Sequence, residues 1–253
     1  MLWYKMWLET RWRFVIGLVL TICSACSVVL VYPEVLKLLP AVPKLDLDGE
    51  IGRKIQESAQ LVRDYRGYVW SQAFEQNIIK LWTIFAILLG VGGAFSQSPG
   101  LLFTLSMPAS RNRVLMARAV TGLSELFLLA LAPALVFPIL SPFIGQSYGL
   151  GDALIHSLCM FLAGAVFFSL TFLLSSVLAD LWQPLLLALM IAIILALLSG
   201  LSRDLARFSI FRVMNAEVYF RTGELPWLGL FASVALSLAM LYGAVVKTAR
   251  RDF

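Results

Sequence analysis

Two residues in this chain have types and spacing that could do chemistry. Glu125, in LSELF, sits inside an apolar run, and Arg118 precedes it by seven positions. An acid at membrane depth is costly unless it is paired or faces a cavity, which makes Glu125 a functional candidate by default. Seven residues put Arg118 on roughly the same helix face, about 10 Å away at about 1.5 Å per residue. The two can meet only by bending long side chains together; otherwise each needs a partner from another segment. Structural pairing and a substrate or proton site both remain open for Glu125.

The other reactive residues offer less. His156 is the single histidine, which excludes a bis-histidine haem site, and no H-E-x-x-H motif is present. It reads as a satisfied histidine at the boundary of an apolar run. Cys23 and Cys26 lie one helical turn apart in CSAC, and Cys159 stands alone. One histidine cannot plausibly complete a four-ligand zinc site with them, so all three read as small buried thiols. No G-x-x-x-x-G-K-[ST] loop occurs; GRKIQES at Gly52 lacks its spacing. No catalytic set, cofactor site or metal site is expected on this chain, and it is not expected to be an enzyme.

The segments that must position Glu125 and Arg118 are built for lipid. The chain is 60% hydrophobic and 14% charged, far less charged than a soluble domain. Six apolar runs, 14–32, 78–95, 119–140, 153–178, 184–201 and 227–246, are each long enough to cross a hydrocarbon core of about 30 Å. Lipid offers the backbone no hydrogen-bond partner, so each run must close its own bonds as a helix. The expected architecture is an all-α integral membrane protein, one transmembrane domain over residues 1–253. The net charge of +5 comes without a long basic block, which argues against a nucleic-acid partner.

Around the spans, residues 1–13 read as an interfacial helix. Trp3, Met6, Trp7 and Phe14 recur at helical spacing, with Lys5, Glu9 and Arg13 mainly elsewhere around it. Segments 33–77 and 202–226 read as external. Within the first, Ile51, Ile55, Ala59, Val62, Tyr65 and Val69 mark an amphipathic helix lying on the membrane face or on the spans. The second should hold short, partly apolar helices. Lys80 can snorkel to an interface, Gly90, Gly93 and Ala94 permit close helix packing, and Pro133 and Pro138 should kink the third span. The density of Lys and Arg in the short segments favours both termini in the cytoplasm.

Segment 96–118 is an elbow. Ser98-Pro99 starts a helix, Pro108 stops it, and Ser110 is placed to cap the next one. Leu101, Leu102, Phe103, Leu105 and Met107 make an apolar surface on a helix too short to span, followed by Arg111 and Arg113. Such a surface lies in the interface or inserts into a partner.

LFTLSMPASRNRVLMARAV resembles the segment after the second span in permease subunits of ABC-2-type transporters. GLSELFLLALAPALVFPILSPFIGQSYGLGDALIHS and the ending VVKTARRDF are also similar to that family, and the resemblance covers essentially the whole chain. Met107-Pro108 stands where Leu-Pro is commoner. The resemblance implies a subunit that forms the substrate path with a second copy of itself or a similar permease, usually for export, in a bacterial inner membrane. It also implies two separate P-loop ATPase subunits carrying ATP and Mg. The elbow would be the coupling helix, with Leu101, Leu102, Phe103, Leu105, Met107 and Pro108 docking on the ATPase and Arg111 and Arg113 at the edge. The alternative is an ATP-independent secondary carrier or a membrane scaffold subunit.

Overall fold

The computed structural model describes residues 2–38, 60–92, 111–178, 180–201 and 209–249. They are helical, with no strand among them. Helix α1 is Leu2–Leu38. A second long helical unit is built from α2 (Tyr65–Val69), a π-helical stretch Trp70–Asn77 and α3 (Ile78–Gly90). Then come α4 (Arg111–Leu140), a 3-10 turn Ser141–Ile144, α5 (Leu150–Val177) and α6 (Trp182–Leu201). Two short helices, α7 (Ile210–Met214) and α8 (Glu217–Thr222), precede α9 (Trp227–Ala249). Six helical units are long and apolar enough to cross a membrane, in register with the six runs expected from hydropathy.

Helix α5 is the centre of the bundle. It packs against α9, α4 and α3, and 67% of its most apolar stretch is buried, against 17% for α6. With no water-driven force pulling apolar helices together in lipid, close packing must do the work. Here it takes the form of aromatic rings seated against glycines. A Cβ on Gly164 would fall 2.2 Å from the ring of Trp82, one on Gly122 2.6 Å from that of Phe168, and one on Gly17 2.9 Å from that of Phe85. At Gly90, a Cβ would sit 2.7 Å from the carbonyl oxygen of Phe168, so the backbones of α3 and α5 nearly touch there. Gly93 and Ala94 lie outside the described residues.

Three helix boundaries differ from the apolar runs. Residues 2–13 continue into the first span as one helix, since nothing before Gly17 interrupts it. Glu9, Thr10 and Arg13 find partners on other helices, while Trp3, Tyr4, Trp7 and Trp12 are exposed. Pro33 does not end the span either; the helix runs on to Leu38.

Residues 65–77, read as an external segment, belong to the same helical unit as the second apolar run. Tyr65, Tyr68, Val69, Trp70 and Phe74 are buried in the main core, and the helix continues directly into α3. Eight residues of π-helix are unusual, since such geometry is mostly confined to single turns. Several aromatic side chains on this stretch have specific seats. Trp70 donates its indole N–H to the Asn215 carbonyl at 3.0 Å and stacks on Phe220, while Phe74 packs on Phe137 and His156. The expected amphipathic pattern survives in part: Tyr65 and Val69 face the core, while 51–59 lie outside the described residues. Pro133 and Pro138 sit within an unbroken α4.

The glycine seats predict a sharp contrast. Gly164→Val should destabilise the detergent-solubilised protein by at least about 1–3 kcal/mol, the usual cost of overpacking, and lower its melting temperature. Gly151→Ala, in the same helix with nothing within 4 Å of the new Cβ, should leave melting unchanged or slightly raised.

A candidate coupling site at the start of the first span

Arg118 and Glu125 do belong to one polar cluster, but they do not satisfy each other. Both are buried on α4, where α1 and the end of α3 pack against it. Arg118 Nη1 pairs with Glu9 Oε2 at 3.1 Å, and its Nη2 donates to the Val91 carbonyl at 3.0 Å. Glu125 Oε1 accepts the hydroxyl of Thr10 at 2.6 Å. Each of the two therefore takes its partners from other segments, one of the two geometries that seven-residue spacing allows.

Sequence reasoning missed Glu9, Thr10 and Arg13 as members of the site. The last joins through Nη1, which donates to the carbonyls of Leu88 at 2.9 Å and Val91 at 3.1 Å. The final carbonyls of a helix have no partner within it and carry its negative dipole end, so cations are favoured there. α3 closes one of them itself, through Val91 N–H to Ile87. Two arginines from two other helices then cover Leu88 and Val91. The available signal was a stripe of residues on α1: Met6, Thr10, Gly17, Thr21 and Ala25 recur at helical spacing and are all buried. Glu9 and Arg13 flank that stripe.

Gly92 completes the geometry. Its φ is +92°, in the left-handed region that favours glycine, and a Cβ there would lie 2.8 Å from Arg118 Nη2. The chain turns at Gly92 while the arginine grips the residue before it. Two buried polar atoms of the cluster, Glu125 Oε2 and Arg118 Nε, have no hydrogen-bond partner.

Of the expected docking residues, Leu101, Leu102, Phe103, Leu105, Met107 and Pro108 lie outside the described residues. Arg111 begins α4, and Arg113 is exposed two residues on. His156, in the second turn of α5, is fully buried: its Nδ1 meets the Asp152 carbonyl at 2.7 Å, and its Nε2 has no partner. It lies under Tyr219, whose hydroxyl bonds Asp152 at 2.8 Å, so the short helix α8 covers it. Among the cysteines, Cys159 is buried as expected, but Cys23 is exposed and Cys26 only partly buried. Lys80 is exposed.

Comparison with protein-family models, curated proteins and solved structures returns no match for this chain.

The asymmetry of the Arg118–Glu9 pair gives an ordered prediction. The Glu9 side chain is 41% exposed and the Arg118 side chain 9%. Removing Glu9 strands a buried cation, whereas removing Arg118 returns a half-exposed carboxylate to solvent. Glu9→Gln should therefore cost about 3 kcal/mol, as for a broken buried pair. Arg118→Met should cost about 1–2 kcal/mol, the scale of lost charge-assisted hydrogen bonds. Thermal melts of the two variants in one detergent check the order; the reverse order would mean that Arg118 is hydrated.

Proposed function

We propose that this chain is the permease subunit of an ABC-2-type transporter, an exporter whose ATP is bound and hydrolysed on separate subunits. In this reading two copies, or this chain and a similar one, form the substrate path. Two P-loop ATPases, holding ATP and Mg, dock on the elbow at 96–118 on the cytoplasmic side, and both termini lie in the cytoplasm of a bacterial cell.

The observation that carries the reading is where the elbow is tethered. Residues 93–110 connect Gly92 to Arg111. One anchor, Val91, is held through its carbonyl by Arg13 and Arg118. The other leads into α4, whose Arg118 lies seven residues on and grips the first anchor. A displacement of the elbow thus acts on one point that also holds α1, through Glu9 and Arg13. An unattached basic turn has no need of such a junction. A device that turns motion of a cytoplasmic partner into motion of spans does, because coupling requires an element that both ends can bias. Glu125, bonded to Thr10 one turn from that junction, ties α4 to α1 on the same reading.

The test is purification of the tagged chain from its native membrane in mild detergent, with co-purifying proteins identified by mass spectrometry. A stoichiometric P-loop ATPase is expected, and Arg111→Glu with Arg113→Glu should lower its recovery several-fold while the chain stays monodisperse. Recovery of the chain alone, repeated under crosslinking, would overturn the reading and leave the ATP-independent carrier or scaffold in its place.

A further inference from the structure

We propose that the groove between the short helices α7 and α8 and the first turns of α9 is a binding site for one membrane phospholipid, with the phosphate at Arg212 and an acyl chain running down α9. The site requires only that α9 crosses a membrane and is independent of any ATPase partner.

The groove has a volume of about 620 Å³, within the range of about 300–1,000 Å³ typical of ligand pockets. Its walls are apolar for most of their length: Val213 and Val218 on one side, Ala232 and Leu236 on the other. The hydroxyl of Ser233, which also lines it, is turned back on the Gly229 carbonyl at 2.8 Å and offers nothing to a ligand. Gly229 lets α9 approach α7 closely at the floor, since a Cβ there would meet Val213 at 2.6 Å.

Position along the helix matches one leaflet. Trp227, largely exposed, begins α9 at the level where tryptophans mark a membrane interface. Leu236 lies nine residues on, about 14 Å deeper at about 1.5 Å per residue, or about half of a 30 Å hydrocarbon core. The groove is thus polar at interface depth and apolar toward the midplane, the profile of a lipid.

Among the described residues that line it, Arg212 is the one that is charged. Glu217 engages its Nε and Nη2, the latter at 2.8 Å, which holds the guanidinium charged and leaves Nη1 unused by the carboxylate. Glu217 in turn accepts Arg221 at 2.9 Å, so two cations share one carboxylate at this rim. An arginine with an unused N–H edge at interface depth suits a phosphate.

The full-length chain is reconstituted in vesicles of phosphatidylglycerol containing a trace of phosphatidylglycerol with a diazirine-bearing acyl chain. After illumination, labelled peptides are quantified by mass spectrometry. Labelling of 227–236 is expected to exceed that of the equally exposed face of α6 severalfold. Arg212→Gln should reduce it about fivefold, the loss expected for one basic group at an anionic surface, and Ala232→Trp should abolish it. A diacylglycerol probe with the same diazirine chain, which lacks the phosphate, should label the groove weakly. Equal labelling of α6 and α9 would mean annular lipid only and overturn the proposal, as would labelling unchanged in Arg212→Gln. If Ala232→Trp does not fold, the wild-type contrast between α9 and α6 decides alone.

Discussion

One carbonyl oxygen, that of Val91, is held by two arginines from two different helices. A helix end buried without partners is costly, because its last carbonyls have no donor within the helix. The end of α3 is completed by Arg13 and Arg118, and those cations need company of their own. Glu9 supplies it to Arg118. The position of α1 against α4, the left-handed turn at Gly92 and the burial of Arg118 all follow from that one need.

At the opposite end of the bundle the constraint is different. Aromatic packing and hydroxyl bonds join ion pairs there: Tyr32 packs on Tyr65 and Tyr68, Tyr68 donates to the Val28 carbonyl at 3.1 Å, and Arg66 pairs with Asp152 at 3.1 Å. Tyr65 shares a 2.6 Å bond with Ser141 beyond the end of α4. The π-helical stretch shifts the ring positions of Trp70 and Phe74, and the short helices α7 and α8 close over them through Asn215 and Phe220. That cap also contains the Arg212–Glu217–Arg221 group and so sets the rim of the α9 groove. The bundle is therefore clamped mainly by charge at one end and by rings together with ion pairs at the other.

What could be read from residues alone divides along the range of the interactions. The six spans were legible, since apolar length is a local property, and α5, α6 and α9 start and stop within a few residues of their apolar runs. At 2–13 and 65–77 the helices run past the apolar stretches, and the side chains that bury there do so against distant partners. Glu9 and Thr10 find theirs more than a hundred positions away, on α4. Nothing in MLWYKMWLETRWR distinguishes a headgroup anchor from the end of a clamped span. Glu125 and Arg118 stood out because charge is rare at that depth, whereas Arg13 did not, because charge near a terminus is ordinary.

The account rests on Arg13 and Arg118 acting together on the end of α3, and a double-mutant cycle measures that directly. Arg13→Met, Arg118→Met and the double variant are compared by thermal unfolding in one detergent. Groups that share a partner couple by about 0.5–3 kcal/mol, whereas independent sites add to within about 0.5 kcal/mol. A shared acceptor at Val91 predicts clear non-additivity. Additive losses would show two unrelated surface contacts, and the junction that joins α1, α3 and α4 would not exist.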